Sequence, residues 1–226
     1  LVASNKAVAG DDVPDQVTAA GKHVVVIGGG DTGADCVGTA HRQGALSVTN
    51  LAIGTQPAAS RTDAQPWPTT PTIFEVQSAH EEGGERVYLA STVEFLGDDQ
   101  GRVRALRVAE TDYVDGRRVP KGGTEREIPA DLVLIAMGFM GPERHSLETQ
   151  LGVRFTSGGL IERDDHYAAT EPSVYAAGDA GRGQSLIVWA IAEGRAAAAR
   201  VDAFLMGESA LPVPVGPRDI AIGLHP

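Results

Sequence analysis

The run Val24-Val25-Val26-Ile27 leads straight into Gly28-Gly29-Gly30-Asp31-Thr32-Gly33, and this junction limits the fold more than any other part of the chain. Four consecutive β-branched residues suit a strand covered on both faces, as in a parallel sheet. Glycines at 28, 30 and 33 form the pattern G-x-G-x-x-G. The first glycine of such a turn permits the sharp bend. The second lets a diphosphate approach the backbone, and the third lets the next helix sit close to the strand. Residues 31–42 read as that helix, with Asp31 or Thr32 placed to cap its free N–H groups and Gly44 placed to end it. Residues 46–53 read as a second strand, which completes a right-handed βαβ unit. Free amides at the positive end of a helix dipole predict dinucleotide binding at Gly28, Gly29, Gly30, Asp31, Thr32 and Gly33.

The end of the second strand bears on which dinucleotide. An NAD site places Asp or Glu there, about 20 residues beyond the glycines, to bind the ribose 2′-hydroxyl. Here the strand closes on Asn50-Leu51-Ala52-Ile53-Gly54, with no acid. Without an acid nothing repels a 2′-phosphate, so NADPH is the expected coenzyme. Arg42 and Arg61 are the nearest basic candidates, and solvated surface charge is an equal reading of both.

Residues 1–20 are polar and mixed, and read as a linker. Prolines at 57, 66, 68 and 71 mark a loop around Trp67, which either walls the nicotinamide site or anchors the loop on the sheet. Residues 93–96 and 103–108 flank Gly97-Asp98-Asp99-Gln100-Gly101, a hairpin signature. Residues 131–136 form a further buried strand, ended by Gly138, with a domain boundary near Gly141-Pro142. Residues 174–177 read as a short strand and 184–206 as a long alanine-rich helix. Gly194 inside that helix suggests close backbone packing, since it costs about 1 kcal/mol relative to alanine. The expected fold is α/β: a Rossmann-like nucleotide domain at 21–140 with an antiparallel hairpin extension, then a second unit at 141–226.

Composition excludes several functions. A net charge of −11 argues against nucleic acid as a partner. No apolar stretch approaches the roughly 20 residues that span a bilayer. The start at Leu1 has neither a signal-peptide pattern nor Met, which predicts a segment of a longer protein. Cys36, the sole cysteine, fits a reducing cytoplasmic setting and a small packed helix residue. His23, His41, His80, His145, His166 and His225 show no metal-ligand spacing, so no metal is expected. Glu81-Glu82 reads as a solvated loop, and no Ser-His-Asp arrangement is visible.

Residues 21–39, Arg42-Gln43-Gly44-Ala45, Pro66-Trp67-Pro68 and Ser78-Ala79-His80-Glu81-Glu82-Gly83 together resemble the NADPH-binding segment of the glutamate synthase small (beta) subunit family. The resemblance runs to about Gly207. It implies that an NADPH domain is inserted in a flavin domain, and that the chain then returns to finish the FAD site. Thr170, Val174, Tyr175, Ala176, Gly178 and Asp179 match the return. On this resemblance Gly138, Gly178, Asp179, Gln184, Ser185 and Leu186 join the cofactor-binding positions, with Asp179 at the flavin ribityl chain. A helix starting near Gln184 would aim its N-terminus at the flavin ring, where partial positive charge favours reduced flavin. The implied activity passes a hydride from NADPH to FAD, then electrons through iron–sulfur clusters to a large subunit that forms glutamate. The family's N-terminal flavin half and cysteine clusters precede this stretch, so the FAD site is incomplete here. At the strand end the family's Glu-Ile-Leu-Pro is replaced by Ala52-Ile53-Gly54-Thr55. A related NAD(P)H- and FAD-dependent reductase with another acceptor, or an inactive nucleotide-binding module, are the alternatives.

Overall fold

The computed structural model describes residues 2–68 and 71–220. The chain falls into two compact units, Leu1–Met137 and Gly138–Pro226. The first contains α1 (Val2–Val8), β1 (His23–Ile27), α2 (Asp31–Arg42), β2 (Ser47–Leu51), α3 (Ser78–Glu81), β3 (Glu85–Val87), β4 (Ala90–Gly97), β5 (Val103–Val114), β6 (Arg117–Pro120), β7 (Arg126–Pro129) and β8 (Leu132–Ile135). The second contains α4 (Arg144–Leu151), α5 (Asp179–Arg182) and α6 (Ile187–Met206).

A parallel sheet ordered β3-β2-β1-β8 centres on the valine run. Both faces of β1 are covered, which is why its residues do not alternate with polar ones. Val24 and Val26 pack with Val48 against Val37 and Ala40 of α2. Val25 and Ile27 pack with Leu51 against Leu106, Val108 and Ile128 of a second, antiparallel sheet. That sheet runs β4-β5-β6, with β7 also paired to β5. Full burial of each such valine contributes roughly 1.5–3 kcal/mol. The predicted hairpin forms around the turn at 98–102, where Asp98 accepts the backbone N–H groups of Gln100 and Arg102.

In the second unit, Val153, Phe155, Ile161 and Ala176 form one small core and Tyr167, Ala196 and Ala197 another. The Tyr167 hydroxyl donates to the Val215 carbonyl at 2.7 Å, which ties the proline-rich tail to the unit.

Several expectations need correction. The predicted linker holds the short helix α1, none of whose residues is buried, and Ala19, which joins the core. The second strand stops at Leu51, because Ala52 turns to bond Val87 and Ala90. Residues 174–177 make one bridge, Ala168 with Tyr175, and no strand. α6 starts at Ile187. Gly194 marks no close approach: a Cβ there would meet nothing within 4 Å. His225 lies outside the described residues. Among the described residues no helix is long and apolar enough to cross a membrane.

Candidate functional site

The glycine turn lies between the ends of β1 and β2 and the start of α2. Gly28 donates its N–H to the Leu51 carbonyl at 2.8 Å and adopts φ +129°, a conformation glycine alone takes readily. A Cβ on Gly28 would stand 2.1 Å from the Ala136 carbonyl oxygen. A Cβ on Gly33 would stand 2.2 Å from the Gly28 carbonyl oxygen. Gly30 differs from both. It is the N-cap of α2, with extended backbone and no side-chain cap hydrogen bond, and a Cβ there meets nothing within 4 Å. So neither Asp31 nor Thr32 caps the helix. The first N–H groups of α2 have no acceptor one turn earlier, and they open onto the space beside Gly30. This shape fits a diphosphate: the backbone is blocked at 28 and 33, where chain packs on chain, and open at 30.

Two residues that sequence reasoning missed hold this turn. Asn50, 3% exposed, donates its side-chain N–H groups to the carbonyls of Val26 and Gly28, at 3.2 and 2.8 Å. Gln77 donates to the Asp31 carboxylate at 2.7 Å, which brings the segment before α3 to the start of α2. Asn50 was visible only as a missing acid at the strand end.

Arg42 lies at the C-terminal end of α2, about 16 Å along the helix from Asp31, and pairs with Glu82 at 2.5 Å. That pairing removes it from the turn and also accounts for Glu82. Arg61 donates to the Gln65 carbonyl at 2.8 Å, within its own loop. Trp67 is 83% exposed, so it does not anchor that loop on the sheet.

The second unit brings together most of its candidates. Gly178 (φ +62°) is the N-cap of α5, and its N–H donates to Glu193 at 2.8 Å. The Ser185 N–H donates to the Asp179 carboxylate at 3.3 Å. Gln184 donates to the Phe139 carbonyl. Gly138 adopts φ +82°, which favours glycine, and a Cβ there would meet the movable amide end of Gln184. Asp179 and Gln184 line a cavity of about 490 Å³ with Phe139, Met140 and Leu160. Leu186, the N-cap of α6, is exposed.

A buried charge cluster joins Gly178. Glu193, 0% exposed, receives both terminal nitrogens of Arg163 at 2.7 and 3.0 Å and the Nε of Arg182 at 2.7 Å. Arg163 also donates to the Ala176 carbonyl at 3.0 Å. Burial alone would raise the Glu193 pKa. Arg163, Arg182 and the Gly178 N–H outweigh it and hold the carboxyl below the usual range. An acid amid the alanines of α6 was the sequence signal for this cluster. Arg182 also stacks on Trp189, 4.2 Å from the ring centroid.

Burial shifts two further titratable groups. Burial, with the neighbouring Asp35, pushes the Cys36 thiol up, away from the reactive thiolate. The His80 ring is enclosed, and burial followed by the charge of Arg86 lowers its pKa, so it packs as a neutral ring. Among the described residues no cluster of His, Cys, Asp or Glu could hold a metal ion.

The pyridine nucleotide-disulphide oxidoreductase family matches residues 2–194. The chain is 56% identical to the glutamate synthase (NADPH) small chain of Mycobacterium tuberculosis over 219 residues, covering 95% of this chain and 45% of that relative. It is 42% identical to the glutamate synthase (NADPH) small chain of Bacillus subtilis over 209 residues, covering 87% of this chain and 42% of that one. It therefore spans less than half the length of these relatives. A crystal structure of T. acidophilum thioredoxin reductase superposes with a TM-score of 0.59 at 25% identity, over 83% of this chain and 54% of that one.

Proposed function

The chain belongs to the pyridine nucleotide-disulphide oxidoreductase family, and we propose that it is the coenzyme-binding and flavin-closing part of a glutamate synthase small chain. In this reading Gly28, Gly29, Gly30, Asp31, Thr32 and Gly33 hold the NADPH diphosphate. Gly138, Gly178, Asp179, Gln184, Ser185 and Leu186 complete one side of an FAD site. When bound, NADPH supplies a hydride, and FAD takes it up as two electrons and a proton.

The observation that carries the reading is the contrast within the glycine turn. Side chains are excluded at 28 and 33 by the chain itself, while at 30 the chain leaves open space beside the start of α2 that a diphosphate would fill. The chain's residues then have to bind, orient and exclude water. Hydride transfer between stacked rings needs alignment rather than a proton donor, which suits a site whose chemistry-bearing side chains are structural. Within these residues a cysteine pair cannot relay electrons, since Cys36 stands alone. The electrons would leave instead through the rest of the small chain to a large subunit that forms glutamate.

The Glu193 cluster serves the flavin side by fixing Gly178 and hence Asp179. Calorimetric titration of this chain with NADPH tests the first half of the proposal, and uptake at a single site is expected. Anaerobic mixing of the full-length small chain with NADPH tests the second, and loss of the visible flavin absorbance is expected. Flavin that stays oxidised beside bound NADPH would reject the assignment.

A further inference from the structure

The end of β2 carries no acid through Leu51, Ala52, Ile53, Gly54 and Thr55, yet it is not without charge. The hairpin of β5 and β6 reaches it from far along the chain. The Leu89 N–H donates to the Gly54 carbonyl at 2.9 Å, and the Thr111 N–H donates to the Leu89 carbonyl at 2.7 Å. These bonds fix the base of the hairpin beside the strand end. Beyond them the register pairs Tyr113 with Arg118. Arg118 donates its Nε–H to the Tyr113 hydroxyl oxygen at 3.3 Å and lies 6.0 Å from the ring centroid. Its Nη2 stands 3.8 Å from the place a Cβ on Gly54 would occupy.

This guanidinium differs from that of Arg42 in one decisive way. Arg42 is neutralised by Glu82, whereas among the described residues Arg118 has no carboxylate within ion-pair distance. An uncompensated cation in a chain of net charge −11 thus stands where a βαβ nucleotide domain places the adenosine ribose. A planar guanidinium matches a phosphate with two parallel donors. We propose that Arg118, steadied by Tyr113, reads the 2′-phosphate of the coenzyme and sets the preference for NADPH over NADH. The proposal rests on coenzyme binding at the glycine turn and adds the residue that selects among coenzymes.

The test is calorimetry of this chain with 2′,5′-ADP and 5′-AMP, which differ only in the 2′-phosphate. The unaltered chain should bind 2′,5′-ADP more tightly. R118Q should lose roughly tenfold in 2′,5′-ADP affinity, the value of a charge-assisted hydrogen bond at an exposed site, with 5′-AMP affinity unchanged. R118K should keep part of the preference as a point charge. Arg117 is adjacent on the strand and projects to the other face, so R117Q should keep all of it. Retention of the preference in R118Q, or an equal loss in R117Q, overturns the assignment to Arg118 and leaves the coenzyme site standing. Uptake of neither nucleotide by the unaltered chain overturns both.

Discussion

Glycine-to-alanine substitution at 30, 28 and 33 separates binding from folding within one turn. At Gly30 the backbone angles of −89° and −172° suit any residue, and the new methyl group meets nothing within 4 Å. Alanine is a poorer N-cap than glycine by about 0.5–1 kcal/mol, while restricting the unfolded chain returns about 0.4–1 kcal/mol. The two nearly cancel, so the stability of Gly30→Ala should stay within about 0.5 kcal/mol of the unaltered chain. The methyl group does occupy the space beside the first amides of α2. Loss of one hydrogen bond to a charged phosphate costs about 1.5–3 kcal/mol, or roughly a 10- to 150-fold fall in NADPH affinity. At Gly28 the methyl group would stand 2.1 Å from the Ala136 oxygen, at φ +129°. Overpacking of about 1–3 kcal/mol adds to backbone strain of about 1–3 kcal/mol, a large share of a domain's total stability. At Gly33 a comparable clash is partly offset by the better helix propensity of alanine, about 1 kcal/mol. Urea unfolding followed by circular dichroism gives the stabilities, and calorimetry with NADPH gives the affinities. Wild-type NADPH affinity in Gly30→Ala would refute the placement of the diphosphate. Wild-type stability in Gly28→Ala would refute the geometry of the turn.

Other substitutions probe the supports of the two sites. Glu193→Gln leaves Arg163 and Arg182, only 5% and 13% exposed, without their counter-charge, and should cost about 3 kcal/mol or more in thermal unfolding. Because the folded pKa of Glu193 lies below its unfolded value, its contribution is complete above about pH 4.3. It is lost as pH falls through the lowered value, so Glu193→Gln should flatten the acid limb of the stability–pH curve. Asn50→Leu removes both amide bonds to the turn and should cost about 2 kcal/mol as well as weakening NADPH binding in the same titration. Gly194→Ala should stabilise the chain by about 1 kcal/mol, because its Cβ meets open space; a lower denaturation midpoint would contradict that geometry.

The glycine turn was legible in the sequence because its causes are local. A strand of β-branched residues, three glycines at fixed offsets and a twelve-residue helix lie within one short stretch, and the structure places α2 over the same residues, 31–42. What was not legible depends on which elements become neighbours. Asn50 reads as a strand residue with no acid beside it. Only the pairing of Val26 with Asn50 across β1 and β2 turns its amide onto the carbonyls of the bend. Gly194 misled because helix propensity speaks of cost and says nothing of what surrounds the residue, and here nothing does. The anchoring reading of Trp67 failed for a related reason, since neither prolines nor an indole reveal whether a loop meets a sheet. Charge is the sharpest case. Proximity in sequence put Arg42 among the candidates, but proximity in sequence is a poor guide to a cation's neighbours. The helix that carries Arg42 away from the turn delivers it to Glu82. Two strands of another sheet deliver Arg118, unpaired, to Gly54. Backbone shape for binding a diphosphate can be written into a few consecutive residues, because a bend and a helix start are made by consecutive residues. Discrimination between coenzymes depends on one phosphate beyond that bend, so it falls to a side chain that only the tertiary fold can bring there.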